Sequence, residues 1–207
     1  MRDRYRSFSE MAENEEEGKD FLRIVMPRPA PIAMVAPHGG GIEPGTSELA
    51  MAIAGEEFSY YCLVGLKGED CWDLHVASTR MDDGLLENIL RESRTAIAVH
   101  GCREERSIAY VGGLDSDLIT MILEELRTAG IPAIEERNHR RLGTHPRNVC
   151  NGGLSGKGVQ LELTSGLRRG MFERLTMSGR KIRTPLFWRF VHAVQEPLRG
   201  YWKEVLP

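Results

Sequence analysis

Strand-like apolar runs alternate along the chain with segments whose apolar residues recur at helical spacing. Most of the runs are apolar throughout and rich in β-branched residues, which is typical of strands buried on both faces of a sheet. Strands are predicted over Phe21–Met26, Ile32–Ala36, Phe58–Gly65, Asp73–Ser78, Thr95–His100, Ala109–Val111 and Val159–Thr164. With the intervening helices they predict an α/β fold in which a mixed, mostly parallel sheet is flanked by helices.

The segments between the strands carry recognisable helix ends. Asp115 is a capping residue for an amphipathic helix that ends at Gly130, and Asp82 or Asp83 caps the preceding helix. Helices are predicted over Thr46–Gly55, from that earlier aspartate to about Ser93, from Asp115 to Gly130 and over Pro185–Leu198. The 207 residues are predicted to form a single domain over 1–207, with the charged residues 1–20 as a loosely packed N-terminal extension.

Composition narrows the range of partners. The formal net charge is −3, so bulk electrostatic attraction to nucleic acid or to an anionic membrane is not expected. No apolar run approaches the roughly 20 residues of a membrane span, and the N-terminal segment lacks the apolar core of a signal peptide. These features predict a cytoplasmic protein that lysis could release. The four cysteines are too widely spaced for a thiolate zinc site or a disulfide framework.

The stretch Pro31–Ala50, PIAMVAPHGGGIEPGTSELA, places a histidine and a carboxylate on a glycine-rich turn after a strand. Because the carboxyl ends of parallel strands meet at one edge of a sheet, His38 and His100 are expected to converge there. A catalytic zinc site needs about three ligands of the His, Asp or Glu type and an open position. His38, Glu43 and His100 are therefore candidate metal ligands, with Glu48 as the nearest substitute for Glu43.

Glu162 is the candidate general base. It lies between Leu161 and Leu163 in a strand, where an unpaired carboxylate is costly to bury, so we expect it near the strand's end and within reach of the site. A structural ion pair is the alternative role for Glu162. For His75 a structural role is favoured, although a place at the same edge of the sheet stays open.

Two other motifs overlap the same turn. Gly40–Ser47 has the glycine spacing of a phosphate-binding loop, but Thr46 stands where lysine is required and Glu43 would repel phosphate. His38–Gly41 resembles the oxyanion loop of lipases and esterases, but the chain contains no G-x-S-x-G nucleophile motif. Both alternatives are weaker than the metal site.

Cationic side chains are the expected means of substrate binding. Arg147 and Asn148 place a guanidinium and an amide side by side, which suits recognition of a carboxylate. Arg168 and Arg169 follow Glu162 closely in sequence, so one of them, with Arg168 as the candidate, is expected to reach the same cleft; exposure to solvent is the alternative for both. The basic residues within 137–147 and 167–174 are expected to supply the local positive field that the net charge does not.

Six stretches of this sequence occur in the same order in a known family. They are APHGGGIEPGTSELA (36–50), DLHVAST (73–79), AVHGCREE (98–105), YVGGLD (110–115), PRNVCNGG (146–153) and GVQLELTSGLRR (158–169). On these motifs the chain resembles the poly-γ-glutamate hydrolase family, whose members include phage-encoded depolymerases. The resemblance covers the chain from about Phe8 to beyond Phe172.

The resemblance implies a fold similar to that of zinc carboxypeptidases, with one catalytic zinc per chain. By motif, His38, Glu43 and His100 would be the ligands and Glu162 the base. Arg147–Asn148 would take the place of the carboxylate-binding pair of carboxypeptidases. Those enzymes separate the first histidine and the glutamate by two residues, whereas four intervene here.

The activity implied by the resemblance is that of a zinc-dependent amidohydrolase that cleaves γ-glutamyl bonds of poly-γ-glutamate with a metal-activated water. One alternative is a zinc hydrolase of the same fold that acts on a small γ-glutamyl or peptide amide. A further alternative is a non-enzymatic protein that binds polyanions through the arginine loop. The expected partner of the enzyme is accordingly a polyanionic γ-glutamyl polymer or a γ-glutamyl peptide.

Overall fold

A computed structural model describes residues 3–205 and contains a seven-stranded mixed sheet. The strands are β1 (Phe21–Met26), β2 (Ala30–Gly40), β3 (Phe58–Gly65), β4 (Thr95–Cys102), β5 (Ala109–Gly113), β6 (Ala133–Glu135) and β7 (Val159–Thr164). Their order across the sheet is β1-β3-β2-β4-β7-β5-β6. The four neighbouring strands β3, β2, β4 and β7 are parallel, whereas β1 and β5 run antiparallel to their partners β3 and β7. The prediction of a mixed, mostly parallel sheet is confirmed.

Helices cover both faces of this sheet, as predicted. They are α1 (Phe8–Asn14), α2 (Thr46–Ala54), α3 (Gly84–Glu92), α4 (Ser116–Thr128), α5 (Ser165–Met171) and α6 (Pro185–Val205). Asp83 caps α3 by accepting from the N–H of Leu85, and Asp115 caps α4 by accepting from the N–H of Leu118. Among residues 3–205, no helix combines the length and apolar character that crossing a membrane requires.

The side-chain alternation of the central strands explains why their sequences are apolar throughout. In β2, Ile32 and Met34 pack in the core formed with α2, α4 and α6, whereas Ala33 and Val35 pack in the core formed with α1 and α3. Successive side chains of a strand point to opposite faces, so a strand covered on both faces needs apolar residues at every position. The apolar runs therefore predicted the central strands correctly.

The prediction of a strand over Asp73–Ser78 is wrong. Two 3₁₀ turns, Glu69–Leu74 and Ser78–Arg80, enclose a short extended segment that lies outside the sheet. The alternation that suggested a strand arises because Leu74 and Val76 pack into the core on either side of His75. The loop crosses the carboxyl ends of the strands, which brings His75 to the edge where the site lies.

Other segments were longer or better packed than the sequence indicated. Strand β2 continues beyond the predicted end at Ala36 to Gly40, and α6 continues past Pro197 to Val205. Strand β6 and helix α5 were not predicted. Within the charged N-terminal segment, Phe8 and Met11 are buried in the core beside α3, so this part of the chain is packed against the domain.

Candidate metal centre

The structure brings His38, Glu43 and His100 together at the carboxyl ends of β2 and β4. Nδ1 of His38 lies 3.1 Å from Nδ1 of His100 and 3.3 Å from Oε1 of Glu43. Nδ1 of His100 lies 3.6 Å from Oε2 of Glu43. All three side chains are buried. Glu48, the alternative carboxylate, instead forms an ion pair with Arg180 at 2.6 Å.

A bulge in β2 positions His38. The pairing of β2 with β3 shifts register between Ala36 and Gly39, around Pro37. Proline has no N–H to donate to a neighbouring strand, and a bulge of this kind redirects the side chains beside it. His38 therefore faces His100 across the ends of two strands, although it precedes the end of β2.

The turn after β2 brings Glu43 back to His38. The N–H of Glu43 donates to the carbonyl oxygen of His38 at 2.9 Å, and Oε2 of Glu43 accepts from the N–H of Gly101 at 2.8 Å. Gly40 has a φ of +65°, and a Cβ there would lie 2.4 Å from the carbonyl oxygen of Gly65. Only glycine permits both this backbone conformation and this close approach to β3. The glycine run is thus a geometric requirement of the Glu43 position.

The hydrogen bonds of the two histidines leave their Nδ1 atoms facing each other. Nε2 of His38 lies 2.8 Å from the carbonyl oxygen of Val76, which can only accept, so Nε2 carries the hydrogen and Nδ1 is an acceptor. Nε2 of His100 lies 3.1 Å from the hydroxyl oxygen of Ser78. The Nδ1 acceptor of His38 thus faces another ring nitrogen and the Glu43 carboxylate. A cation held between these groups would relieve their mutual repulsion.

The separations of these atoms fit a metal ion. An ion bound tetrahedrally at about 2.0–2.1 Å, as zinc is, places two of its ligand atoms about 3.3 Å apart. The three separations among His38, Glu43 and His100 lie between 3.1 and 3.6 Å. Burial on its own raises the pKa of Glu43, but the neighbouring imidazoles outweigh it and hold that pKa well below its ordinary value. The carboxylate form, which binds metals, is therefore favoured.

His75 is a further candidate ligand that the sequence left open. Its ring stacks between Trp72, at a centroid distance of 4.5 Å, and His38, at 4.0 Å. Its Nε2 lies 3.9 Å from Oε1 of Glu43. His38, Glu43 and His75 each offer a ligand atom within 4.8 Å of the others. Burial first, and then the neighbouring His38, lower the pKa of His75 to about 4 against the opposing effect of Glu43 and Asp3.

Asp3 fixes the orientation of His75 from the N-terminal segment. Its Oδ1 lies 2.8 Å from Nδ1 of His75, and its Oδ2 accepts from the N–H of Ala77 at 3.1 Å and from Arg80 at 3.3 Å. A carboxylate in this position fixes which imidazole nitrogen carries the hydrogen. Nδ1 of His75 donates to Asp3, so Nε2 presents its lone pair to the cavity. No local motif in the sequence links Asp3 to His75, because 71 residues separate them.

If His75 binds the metal, replacing Asp3 by Ala is expected to lower the affinity for Zn²⁺ by about 10–100-fold, since an outer carboxylate typically contributes that much through the histidine that it orients. Competition with a chromophoric chelator measures the change. Asp73→Ala is the matched control, because Asp73 also joins the N-terminal segment to this loop, through Arg4, without touching His75. Unchanged affinity in Asp3→Ala, or an equal loss in both variants, would exclude His75 as a metal ligand oriented by Asp3.

Glu162 lies at the same cavity. It is paired with His100 in the register of β4 and β7, it is 8% exposed, and its Oε1 accepts from Nε2 of Gln160 at 3.0 Å. Burial first, and then the negative charge of Glu43, raise the pKa of Glu162 to about 8 against the opposing charge of Arg141. A buried carboxyl with a pKa near neutrality is a group suited to accept and return a proton.

The predicted substrate-binding residues lie in three different places. Asn148 lines the cavity, where its amide donates to Oε1 of Gln160 at 2.8 Å. Arg147 is exposed and lines a neighbouring concavity beside Asp82. Arg168 is buried, and its guanidinium donates to the backbone carbonyls of Leu163, Pro44 and Cys102. Because these donors already bind backbone carbonyls, the guanidinium of Arg168 has little hydrogen-bonding capacity left for a substrate carboxylate.

The cavity beside the histidines has a volume of about 480 Å³ and is lined by three other arginines, Arg103, Arg140 and Arg141. A second concavity of about 290 Å³ shares Glu43, Trp72, Gly101 and Arg103 with it. The candidate metal centre therefore borders open space on two sides. Arg140 and Arg141 belong to the basic stretch 137–147 that the sequence indicated as a source of positive field.

Nearly the whole chain matches a known protein family and its relatives. The family model described as poly-gamma-glutamate hydrolase matches residues 5–193. Two Bacillus subtilis (strain 168) proteins are similar in sequence. UPF0714 protein YndL is 32% identical over 181 residues, which cover 87% of this chain and 71% of YndL. The SPbeta prophage-derived UPF0714 protein YoqZ is 34% identical over 180 residues, which cover 86% of this chain and 65% of YoqZ.

Solved structures of similar proteins also superpose on nearly the whole chain. The structure of a bacteriophage poly-gamma-glutamate hydrolase superposes with a TM-score of 0.95 at 29% identity, over 98% of this chain and 100% of the phage chain. Zinc-free YndL superposes with a TM-score of 0.92 at 30% identity, over 97% of this chain and 100% of that chain. With its family match extending from residue 5 to residue 193, this chain belongs to the poly-gamma-glutamate hydrolase family.

Proposed function

We propose that the protein is a zinc-dependent amidohydrolase that cleaves γ-glutamyl bonds of poly-γ-glutamate. The observation that carries the proposal is the convergence of His38, Glu43 and His100 at 3.1–3.6 Å beside the buried carboxyl of Glu162. Two imidazoles and a carboxylate are typical ligands of a catalytic zinc ion. The solved YndL structure is described as zinc-free, which supports zinc as the metal of this family site.

Each residue of the centre has a distinct role in the proposed reaction. Zinc held by His38, Glu43 and His100 would supply Lewis acidity toward the scissile carbonyl and the attacking water. Glu162 would take a proton from that water and return it to the nitrogen of the leaving amine. Asn148 lines the same cavity, where its amide donates to Gln160, which in turn donates to Glu162.

The distribution of charge supports a polyanionic substrate. The chain carries a net charge of −3, yet three arginines line the cavity beside the histidines. Locally clustered positive charge attracts an anionic ligand even when the whole protein repels it. The second concavity, which shares Glu43 and Arg103 with the first, leaves room for a chain that continues past the centre. That opening favours a polymer over a small amide as substrate.

The test is incubation of the protein with poly-γ-glutamate, with chain length followed by gel filtration and released glutamate by amino-acid analysis. We expect the polymer to shorten, a chelator to stop the reaction, and about one equivalent of zinc per chain to restore it. Binding without shortening would make the protein a polyanion-binding module. Hydrolysis of short γ-glutamyl amides alone would identify the small-substrate enzyme, and activity that a chelator leaves unchanged would exclude zinc.

A further inference from the structure

Arg141 is held at the wall of the cavity by a buried carboxylate and an aromatic ring. Its Nε lies 2.9 Å from Oε2 of the buried Glu136, an ion pair outside hydrogen-bond geometry, and its guanidinium carbon lies 4.7 Å from the ring centroid of Tyr110. Its carbonyl oxygen accepts from Nε2 of Gln160 at 2.9 Å. Glu136 is itself fixed, because its Oε1 accepts from the backbone N–H groups of the two residues that follow it. The guanidinium is therefore preorganised before any ligand binds.

The outer edge of this guanidinium is free. Among residues 3–205, no hydrogen bond engages Nη1 or Nη2 of Arg141, although its side chain is only 25% exposed. Arg168 is the contrasting case, since its donors are engaged by backbone carbonyls. A planar guanidinium that is placed by the charge of Glu136 and the ring of Tyr110, and that is free at both Nη atoms, is suited to bidentate binding of a carboxylate.

Arg141 also occupies the appropriate position relative to the reacting groups. It lines the same cavity as His100 and Glu162, and Gln160 links it to the proposed base by donating both to the Arg141 carbonyl and to Oε1 of Glu162. In a γ-linked glutamyl chain, the carbon that bears the amide nitrogen also bears the free α-carboxylate. A substrate whose amide is bound at the centre therefore carries an anion only one carbon from the scissile nitrogen.

We infer that Arg141 binds the α-carboxylate of a glutamyl unit next to the scissile amide and so determines the preference for γ-glutamyl substrates. The inference rests on the proposed hydrolysis at the adjacent centre and assigns the carboxylate contact to Arg141 rather than to Arg147. Arg141 acts by binding and orienting the substrate. It takes no part in proton transfer, so its loss affects KM more than kcat.

The first test is steady-state kinetics of the zinc-loaded protein on γ-glutamyl hexamers. Arg141→Gln is expected to raise KM by about 10–100-fold, the usual effect of losing hydrogen bonds to a charged group, and to change kcat by less than about threefold. Arg141→Lys should raise KM less than Arg141→Gln does, because lysine keeps the positive charge but lacks the two parallel N–H donors of the guanidinium. Arg189→Gln is the matched control for charge, since Arg189 is exposed on α6 and lies outside the cavity. Its KM should stay within about twofold of the wild-type value.

A second test identifies the group that Arg141 contacts. Hexamers amidated at one α-carboxylate at a time are compared on the wild-type protein and on Arg141→Gln. At one position the wild-type protein should lose about 10–100-fold in kcat/KM, while Arg141→Gln should lose less than about twofold, because the two changes remove the same contact. A merely structural role of Arg141 would not produce this position-specific result.

Two results would overturn the inference. One is an equal loss in both proteins at every amidated position, and the other is a KM increase in Arg147→Gln with Arg141→Gln unchanged. If the wild-type protein cleaves neither the hexamer nor poly-γ-glutamate, the proposed function fails instead. Calorimetric binding of the same hexamers to the zinc-loaded proteins then tests Arg141 independently. We expect amidation at one position to raise the Kd of the wild-type protein but not that of Arg141→Gln. An equal rise in both proteins at every position would contradict the inference.

Discussion

Glu162→Gln is expected to lower kcat on poly-γ-glutamate by about 10²–10⁴-fold, the usual contribution of a general base, while zinc content stays near one equivalent per chain. The amide has the shape of the carboxyl and still accepts the hydrogen bond from Gln160, but it takes no proton. Activity assays and metal analysis of the same preparation measure both quantities. Glu135→Gln is the control, because Glu135 is an exposed carboxylate on β6 outside the cavity.

The pH profile provides a second readout of the same variant. Burial and the negative charge of Glu43 raise the pKa of Glu162 above its ordinary value, and its base form is lost as pH falls through that pKa. The wild-type rate should therefore rise with pH along its acidic limb, and the residual rate of Glu162→Gln should lack that limb. If Glu162→Gln instead loses its zinc along with its activity, Glu162 is a metal ligand and the assignment as base is wrong.

His100→Ala is expected to abolish stable zinc binding. The loss of an outer carboxylate already costs about 10–100-fold in metal affinity, so the loss of one of three direct ligands should cost more than about 100-fold. Zinc per chain after dialysis measures the loss. Thermal unfolding measures it independently, because added zinc stabilises a protein that binds it only when folded. We expect zinc to raise the Tm of the wild-type protein and to leave that of His100→Ala unchanged.

The control for His100→Ala is His192→Ala, which removes an exposed imidazole on α6 and should bind zinc normally. His75→Ala completes the comparison, because His75 offers a ligand atom to His38 and Glu43 as well. If His100→Ala keeps one zinc and His75→Ala loses it, the metal ligands are His38, Glu43 and His75, and the assignment of His100 is wrong.

Local sequence was sufficient for the central strands of the sheet and for the convergence of His38 and His100. Strands buried on both faces need apolar residues throughout, so β2, β4 and β7 are visible as apolar runs. Parallel strands end at one edge, which places the residues at their carboxyl ends together regardless of how far apart they are in sequence. The glycines before Glu43 likewise indicate a tight turn whose carboxylate returns to the strand end.

Only the tertiary structure decided which of the other polar residues share that edge. His75 lies on a loop whose alternation imitates a strand, and its orientation depends on Asp3, 72 residues earlier in the chain. Arg147, Arg168 and Arg141 cannot be distinguished by local sequence, since each is an arginine in or near a basic stretch. The direction of each long side chain depends on the partners that surround it in the fold. Arg168 binds backbone carbonyls, whereas Arg141 contacts Glu136 and Tyr110. The sequence by itself therefore determined the central strands and the ends at which His38 and His100 lie. The direction of each flexible side chain depended on contacts between residues distant in the chain, because several rotamers are close in energy until the surrounding fold selects one.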